Sequence, residues 1–313
     1  MIDAIQGSRS CPLCGNGFLT AVFYPPLVRC GGCGLVFRNR ERARELIREE
    51  HETRHSDVGL EPWVQDRRRT LYREFLTKYR PVPGRNRLLD VGCGTGQFLK
   101  LARAQGWDVM GVEIAEADAE SARGMGLPVV VGPLENSALP EPSFDVVTLW
   151  NVLDFAPDPV EQVSAVKQVL APGGTLVVRV PNLAFQSAVF RLSSVFPCWP
   201  PLVNLLRKYY IFHQLSFNAR TLRRTLEQGG FEQIQITNSL PSYGDPYQTL
   251  RRSGDGVLQA VKRSVYGLAW LIAVSSGGKV LVGSSLLATA VKGDLPLSGG
   301  VEQLVRQGEG AHR

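Results

Sequence analysis

Apolar positions along this chain cluster into short unbroken runs separated by glycine turns and mixed polar stretches. Leu88-Leu89-Asp90-Val91 reads as a strand buried on both faces, followed at once by the turn Gly92-Cys93-Gly94-Thr95-Gly96 and a helix start. The next apolar run ends on a lone acid, Glu113. Farther on, Leu170-Ala171-Pro172-Gly173-Gly174 predicts a helix end and turn, because Pro-Gly-Gly cannot continue a helix. The β-branched run Thr175-Leu176-Val177-Val178 then favours a strand. Upstream, the 3.6-residue period of Trp63, Leu71, Phe75, Leu76 and Tyr79 predicts one apolar helix face, with Arg67-Arg68-Arg69 largely off it and solvated. Arg40 to Arg54 mixes Arg and Glu as an exposed helix would, and Pro81-Val82-Pro83-Gly84 breaks the helical pattern before the first core strand.

The glycine loop carries the first chemical signal. Glycines let a backbone turn sharply and approach a ligand where a Cβ would collide. A carboxylate about 20 residues past such a loop, at the tip of the neighbouring strand, is placed to accept hydrogen bonds from a ribose diol. Together they describe a nucleoside pocket. Dinucleotide loops use Gly-x-Gly-x-x-Gly, whereas Gly92, Gly94 and Gly96 alternate and position 97 is Gln. Asp90, just before the loop, would repel a phosphate and suits a cationic amino acid. A ligand-free tight turn and a nicotinamide site are the competing readings.

At these residues the chain resembles the class I S-adenosylmethionine-dependent methyltransferases, whose first motif is acid-x-Gly-x-Gly-x-Gly. The resemblance extends from about Asn86 to Lys292. Gly106 to Glu113 looks like the second strand, Val129-Val130-Val131 the third, and Ser143 to Trp150 the fourth. Leu170 to Val178 looks like the helix end, turn and fifth strand, and Phe231 to Thr237 and Ser285 to Val291 like the last two. It implies an α/β fold with a doubly wound, mostly parallel seven-stranded sheet, Rossmann-like, and S-adenosylmethionine as cofactor. It also implies cofactor contacts from Asp90, Gly92, Gly94, Gly96, Glu113, the backbone near Leu134, and Asn151 at the end of the fourth strand. Two positions depart from the family. Pro133 stands where relatives carry an adenine-binding acid, and Val152-Leu153-Asp154-Phe155 replaces Val-Leu-Glu-His, so the family's histidine is absent there.

Six cysteines form two pairs and two singles. Cys11-Pro12-Leu13-Cys14-Gly15 and Cys30-Gly31-Gly32-Cys33-Gly34 have the spacing of a four-cysteine zinc site. Four thiolates leave no open coordination position, so the metal is expected to be structural, within a small N-terminal zinc ribbon. Nothing at Met1-Ile2-Asp3-Ala4 resembles a signal peptide, which favours a reducing compartment over disulfides. Cys93 reads as loop packing and Cys198 as a buried small hydrophobe.

These boundaries divide the chain into a zinc-ribbon module at 1–38, a helical linker and cofactor cover at 39–84, a methyltransferase domain at 85–293 and a flexible tail at 294–313. A cap at 181–217 interrupts the methyltransferase domain. It contains the aromatics Phe185, Phe190, Phe196, Trp199, Tyr209, Tyr210 and Phe212, with Arg191, Arg207 and Lys208 among them. They suit an acceptor with apolar and anionic parts or a membrane surface, or they form the cap's own core. The overall charge is +6, but residues 162–313 carry 16 basic and 7 acidic side chains, a net of +9. This asymmetry points to an anionic partner, with a solvated basic face as the bland alternative. Val265 to Val274 is too short to span a membrane.

Methyl transfer needs a nucleophile held close to the methyl group, and a hydroxyl or carbon acceptor needs a base. His213, just before the helix near Asn218, is the candidate base; Tyr209 and Tyr210 are weaker. The expected activity is methylation of a small-molecule, glycan or lipid-linked acceptor at oxygen or carbon, in the cytoplasm, with peripheral contact to the inner membrane face a further expectation. An rRNA base methyltransferase and a non-catalytic zinc-ribbon partner protein are the alternatives, RNA being the weaker partner.

Overall fold

The computed structural model describes residues 10–39 except 25, 62–195 except 138 and 140–142, 203, 206, 210–239, 264 and 267–293. The expectations for Arg40–Arg54, for Phe196, Cys198, Trp199, Arg207, Lys208 and Tyr209, and for the tail beyond 293 lie outside the described residues.

Three short strands, β1 (Leu19–Ala21), β2 (Leu27–Cys30) and β3 (Val36–Arg38), form an antiparallel meander carrying the two cysteine pairs. Helix α1 (Pro62–Lys78) follows. The core then alternates β4 (Arg87–Val91), α2 (Gln97–Ala104), β5 (Asp108–Glu113), α3 (Glu116–Gly124), β6 (Val129–Val131), β7 (Phe144–Trp150), α4 (Pro159–Val169) and β8 (Leu170–Pro181). After α5 (Leu183–Val195) come the two-residue β9 (Leu215–Ser216), α6 (Ala219–Gln228), β10 (Phe231–Asn238) and β11 (Ser285–Lys292).

The large sheet has seven strands in the order β10-β11-β8-β7-β4-β5-β6. β8-β7-β4-β5-β6 are parallel, whereas β11 runs antiparallel to both β8 and β10. Alternate residues serve two cores. Leu88, Val109, Val146 and Val177 pack with α1, α2 and α3, while Leu89, Val112, Val147 and Val178 pack with α4 and α6. This is the doubly wound arrangement, and its apolar strands need no polar face. Strand order reverses beside β4, and the crevice at the carboxyl edge there is where such sheets hold ligands.

The meander is not a separate bead. β3 pairs with β9, Val36 opposite Ser216 and Phe37 opposite Leu215, so β9 completes a four-stranded sheet with the cysteine-bearing strands.

One local expectation is corrected. Pro172-Gly173-Gly174 is not a turn ahead of a strand but a bulge inside β8, whose pairing with β7 jumps from Phe144↔Leu170 to Val146↔Thr175. Gly173 at φ 68 absorbs the extra residues, and a Cβ on Gly174 would stand 2.8 Å from the Ala171 carbonyl oxygen. On α1, Leu71, Phe75, Leu76 and Tyr79 are buried as the period predicts, joined by Tyr72; Arg68 and Arg69 are half-buried rather than solvated.

Candidate cofactor and acceptor site

The glycine loop joins β4 to α2 at the sheet's carboxyl edge. Gly92, Gly94 and Gly96 all have positive φ, at 69°, 53° and 78°. Part of this need for glycine is internal. A Cβ on Gly92 would come within 2.5 Å of Val152 Cγ2, and one on Gly96 within 2.5 Å of Leu127 Cδ1. Cys93 packs against Gly111, where a Cβ would lie 2.6 Å from its Sγ, in keeping with a packing role.

Glu113 ends β5 facing the loop and is mostly buried. Its Oε2 accepts from Gly94 N–H at 2.8 Å and its Oε1 from Ala115 N–H at 2.9 Å. Burial raises the Glu113 pKa, partly offset by these backbone donors. Each oxygen so held keeps a second acceptor site, which suits a pair of ribose hydroxyls. Thr95 Oγ1, in the same loop, is buried with no hydrogen-bond partner among the described residues, and such an atom costs about 1–3 kcal/mol unless a ligand meets it. A fixed carboxylate and an orphaned hydroxyl beside one glycine loop fit an adenosyl cofactor.

Asp90 lies on β4 below the loop rather than in an open cleft. It is 2% exposed, accepts the Thr148 hydroxyl at 2.6 Å, and is pushed up to about 8 chiefly by burial. Leu134 is buried in the turn after β6. Asn151, just past β7, sits at φ 58, a strained conformation that Asn tolerates better than most residues. Its Oδ1 accepts from Arg179 Nη1 at 2.5 Å, and Arg179, buried at the end of β8, also donates to Ser239 and Ser285. Sequence reading missed this arginine, which was indistinguishable from any other basic residue of the C-terminal half.

Helix α1 leans on this edge. Tyr72 and Phe75 meet Phe98 of α2 and Trp150 at the end of β7, with ring centroids 5.1 to 5.9 Å apart.

His213 arrives from the cap. Its Nδ1 bonds Asp154 Oδ2, and both side chains are nearly inaccessible. The Phe155 ring stacks on the imidazole at 4.6 Å and 25°. Asp154 and Phe155 lie in a single turn after β7, so the position lacking the family's histidine instead supports a histidine from elsewhere. Asp154 was noticed in the sequence only as a departure.

The cap's aromatics divide. Phe190, Tyr210 and Phe212 form an apolar cluster with Phe23, and Phe212 stacks on Phe23 at 4.7 Å. They are internal packing that joins the cap to the cysteine module. Leu192 and Val195 on α5 remain exposed.

In the module, the Sγ atoms of Cys11, Cys14, Cys30 and Cys33 lie within 4.8 Å of one another, and the four cysteines are free rather than disulfide-bonded. Backbone N–H groups of Leu13, Gly32 and Leu35 point at three of the sulfurs at 3.3 to 3.5 Å. Gly15 and Gly34, both at positive φ, close the two knuckles onto the Cys11 and Cys30 carbonyls. Four sulfurs at this spacing can coordinate a metal ion and would leave it no vacant position.

A family of methyltransferase domains matches residues 64–236, more than half of the chain. The chain belongs to this methyltransferase family. Over 126 residues the chain is 33% identical to a ubiquinone biosynthesis O-methyltransferase of Hahella chejuensis, covering 38% of this chain and 52% of that protein. A protein of the same name from Aliivibrio fischeri is 27% identical over 158 residues, 48% of this chain and 66% of that protein. The chain thus spans about half to two thirds of the length of these curated relatives. Among solved structures, a SAM-dependent methyltransferase from Archaeoglobus fulgidus aligns with 79% of this chain and all of its own, at 20% identity and TM-score 0.47.

Proposed function

We propose that this protein transfers a methyl group from S-adenosylmethionine to a small-molecule, glycan or lipid-linked acceptor, at oxygen or carbon, with His213 as the base. The buried Asp154–His213 pair carries the reading, because a base at the carboxyl edge is needed only for an acceptor that must lose a proton. The bound cofactor supplies an already activated methyl group. Glu113 and the glycine loop hold the ribose, with Asp90, Leu134 and Asn151 in further cofactor contact. Asp154 fixes the imidazole tautomer with the proton on Nδ1 and stabilises the imidazolium formed once Nε2 takes the acceptor's proton. The names of the O-methyltransferase relatives favour an oxygen acceptor.

The four cysteines are proposed to hold a structural zinc ion, a choice supported by the all-sulfur donor set. Peripheral membrane contact is supported by the helical stretch 267–275, which is built inside out. Leu268, Trp270, Leu271 and Val274 face outward while Ala269 is buried. Between Gly256 and Gly293 the sequence has no acid, and Lys262, Arg263 and Lys279 supply cations suited to anionic headgroups. No helix among the described residues is long and apolar enough to cross a membrane.

The test is transfer of labelled methyl from S-adenosylmethionine into an extract separated into lipid, glycan and RNA fractions. Label in the lipid or glycan fraction, lost in His213→Gln, is the expected result; label confined to RNA would replace this reading.

A further inference from the structure

We propose that the four-cysteine module is a working wall of the acceptor site, in which metal loading holds β3 rigid and β3, through Arg38, clamps His213 against Asp154. The proposal rests on reading His213 as the base, but its central measurement does not.

The path is short at every link. Cys30 ends β2, Cys33 lies three residues before β3, and Cys30 N–H donates to the Leu35 carbonyl at 2.9 Å across the second knuckle. β3 therefore starts where the metal ligands stop. At its other end, Arg38 grips the backbone on both sides of His213. The Arg38 guanidinium donates from Nε and Nη2 to the Phe212 carbonyl at 3.2 and 2.9 Å. The Arg38 N–H donates to the Gln214 carbonyl at 3.0 Å, and Gln214 Nε2 returns a bond to the Arg38 carbonyl at 3.4 Å. Phe212 is fully buried and stacks on Phe23, a module residue held at φ 58 in the β1–β2 connection.

Among the described residues, the module's buried apolar side chains belong to clusters shared with the rest of the molecule. The module's strands are three, four and three residues long. Leu27 and Val36 are buried with Leu183 and Phe212, while Leu35 and Phe37 share the main core with Leu215 and Phe217. A sheet this small depends on a metal for rigidity. An ordered module therefore fixes the peptide groups flanking the histidine. A disordered one releases residues 210–217 and lets the imidazole leave Asp154. Arg38 is thus a positioning residue acting through His213, and metal occupancy becomes a condition for acceptor chemistry without entering the reaction.

The test compares the full-length zinc-loaded protein, the same protein after zinc is stripped with a chelator, and Arg38→Gln and Arg38→Lys with zinc retained. Amide hydrogen exchange is followed along the chain, and the Nδ1 proton of His213, assigned with His213→Gln, is followed by NMR. Stripping zinc is expected to speed exchange at 210–217 by about tenfold or more while 88–96 and 108–113 stay protected. The downfield Nδ1 signal should broaden or vanish, and S-adenosylhomocysteine affinity should hold. Arg38→Gln should reproduce the local effects with zinc content unchanged, and Arg38→Lys should restore them in part. Unchanged exchange at 210–217 after stripping, or an unperturbed His213 signal in Arg38→Gln, would overturn the clamp. Loss of protection throughout the large sheet would overturn it too, by making zinc a general stabiliser. If His213→Gln proves fully active while exchange responds as expected, the base assignment fails and the clamp stands.

Discussion

Asp154 and His213, 59 residues apart in sequence, meet in a carboxylate–imidazole hydrogen bond with both side chains almost wholly out of water. Asp154 Oδ1 has no hydrogen-bond partner among the described residues, so this carboxylate depends heavily on the histidine. Replacing His213 with Gln or Ala is expected to lower methyl transfer by about 10²- to 10⁴-fold, with cofactor affinity retained. Asp154→Asn should lose most of the same rate, because an amide neither stabilises the imidazolium nor enforces the tautomer with the proton on Nδ1. Turnover with a labelled methyl donor, beside calorimetry with S-adenosylhomocysteine, checks both; a parallel loss of cofactor binding would contradict the assignment.

Glu113 organises the loop as well as facing it. Glu113→Ala removes the acceptor for both Gly94 and Ala115 N–H, and a ribose partner as well. The expected loss of S-adenosylhomocysteine affinity is about 2–3 kcal/mol, or 30- to 150-fold. Glu113→Gln should fall between, since one of its two terminal atoms can no longer accept. Calorimetric titration of the three proteins reads the order directly.

Asp90 makes stability depend on pH with an unusual sign. Its pKa rises from an ordinary carboxylate value to about 8, mainly through burial, so between about pH 4 and 8 the folded state binds the extra proton. Stability is therefore expected to fall as pH rises through that window, at about 1.4 kcal/mol per pH unit. Glu113, also raised, adds to the same trend. Asp90→Asn should flatten it. Denaturant midpoints at about pH 4, 6 and 8, the edges and centre of that window, would show the slope, and an unchanged slope in the variant would assign the dependence elsewhere.

Gly96 and Gly84 separate packing from backbone strain. Both have φ near the same value, 78° and 77°, but a Cβ on Gly96 strikes Leu127 and Ala122 whereas Gly84 has nothing within 4 Å. Gly84→Ala is expected to cost about 1 kcal/mol and Gly96→Ala about 2–4. Thermal melts of the two variants measure the gap, and equal losses would mean that the Gly96 surroundings yield.

The outward apolar face of 267–275 predicts lipid binding. Changing Leu268, Leu271 and Val274 together to Asp should abolish flotation with vesicles containing anionic lipid while leaving the melting temperature nearly unchanged.

How much of this could be read from residue order follows from the range of the interactions. β4 to β7 are local apolar runs beside strong turn residues, and the sequence placed them to within about two residues. The α1 face was equally visible from its period. The Pro172–Gly174 bulge was not, because a helix terminator and a bulge use the same residues. β9 has only two residues and thus no period to detect, and its pairing with β3 depends on a register seen only in the folded state. The Asp154–His213 contact joins segments whose sequences say nothing of each other. The cysteine spacing was fully legible; the attachment of the cysteine module to the cap through β9 was not.

That attachment also sets an order of events during synthesis. Both knuckles leave the ribosome before the cap does, and Arg38 must wait for Phe212, 174 residues later, before its guanidinium finds the carbonyl that it grips. Until then the edge of β3 is an open strand with no partner, so a nascent chain stalled before the cap exposes a ready site for chaperones or for mispairing with a neighbouring chain.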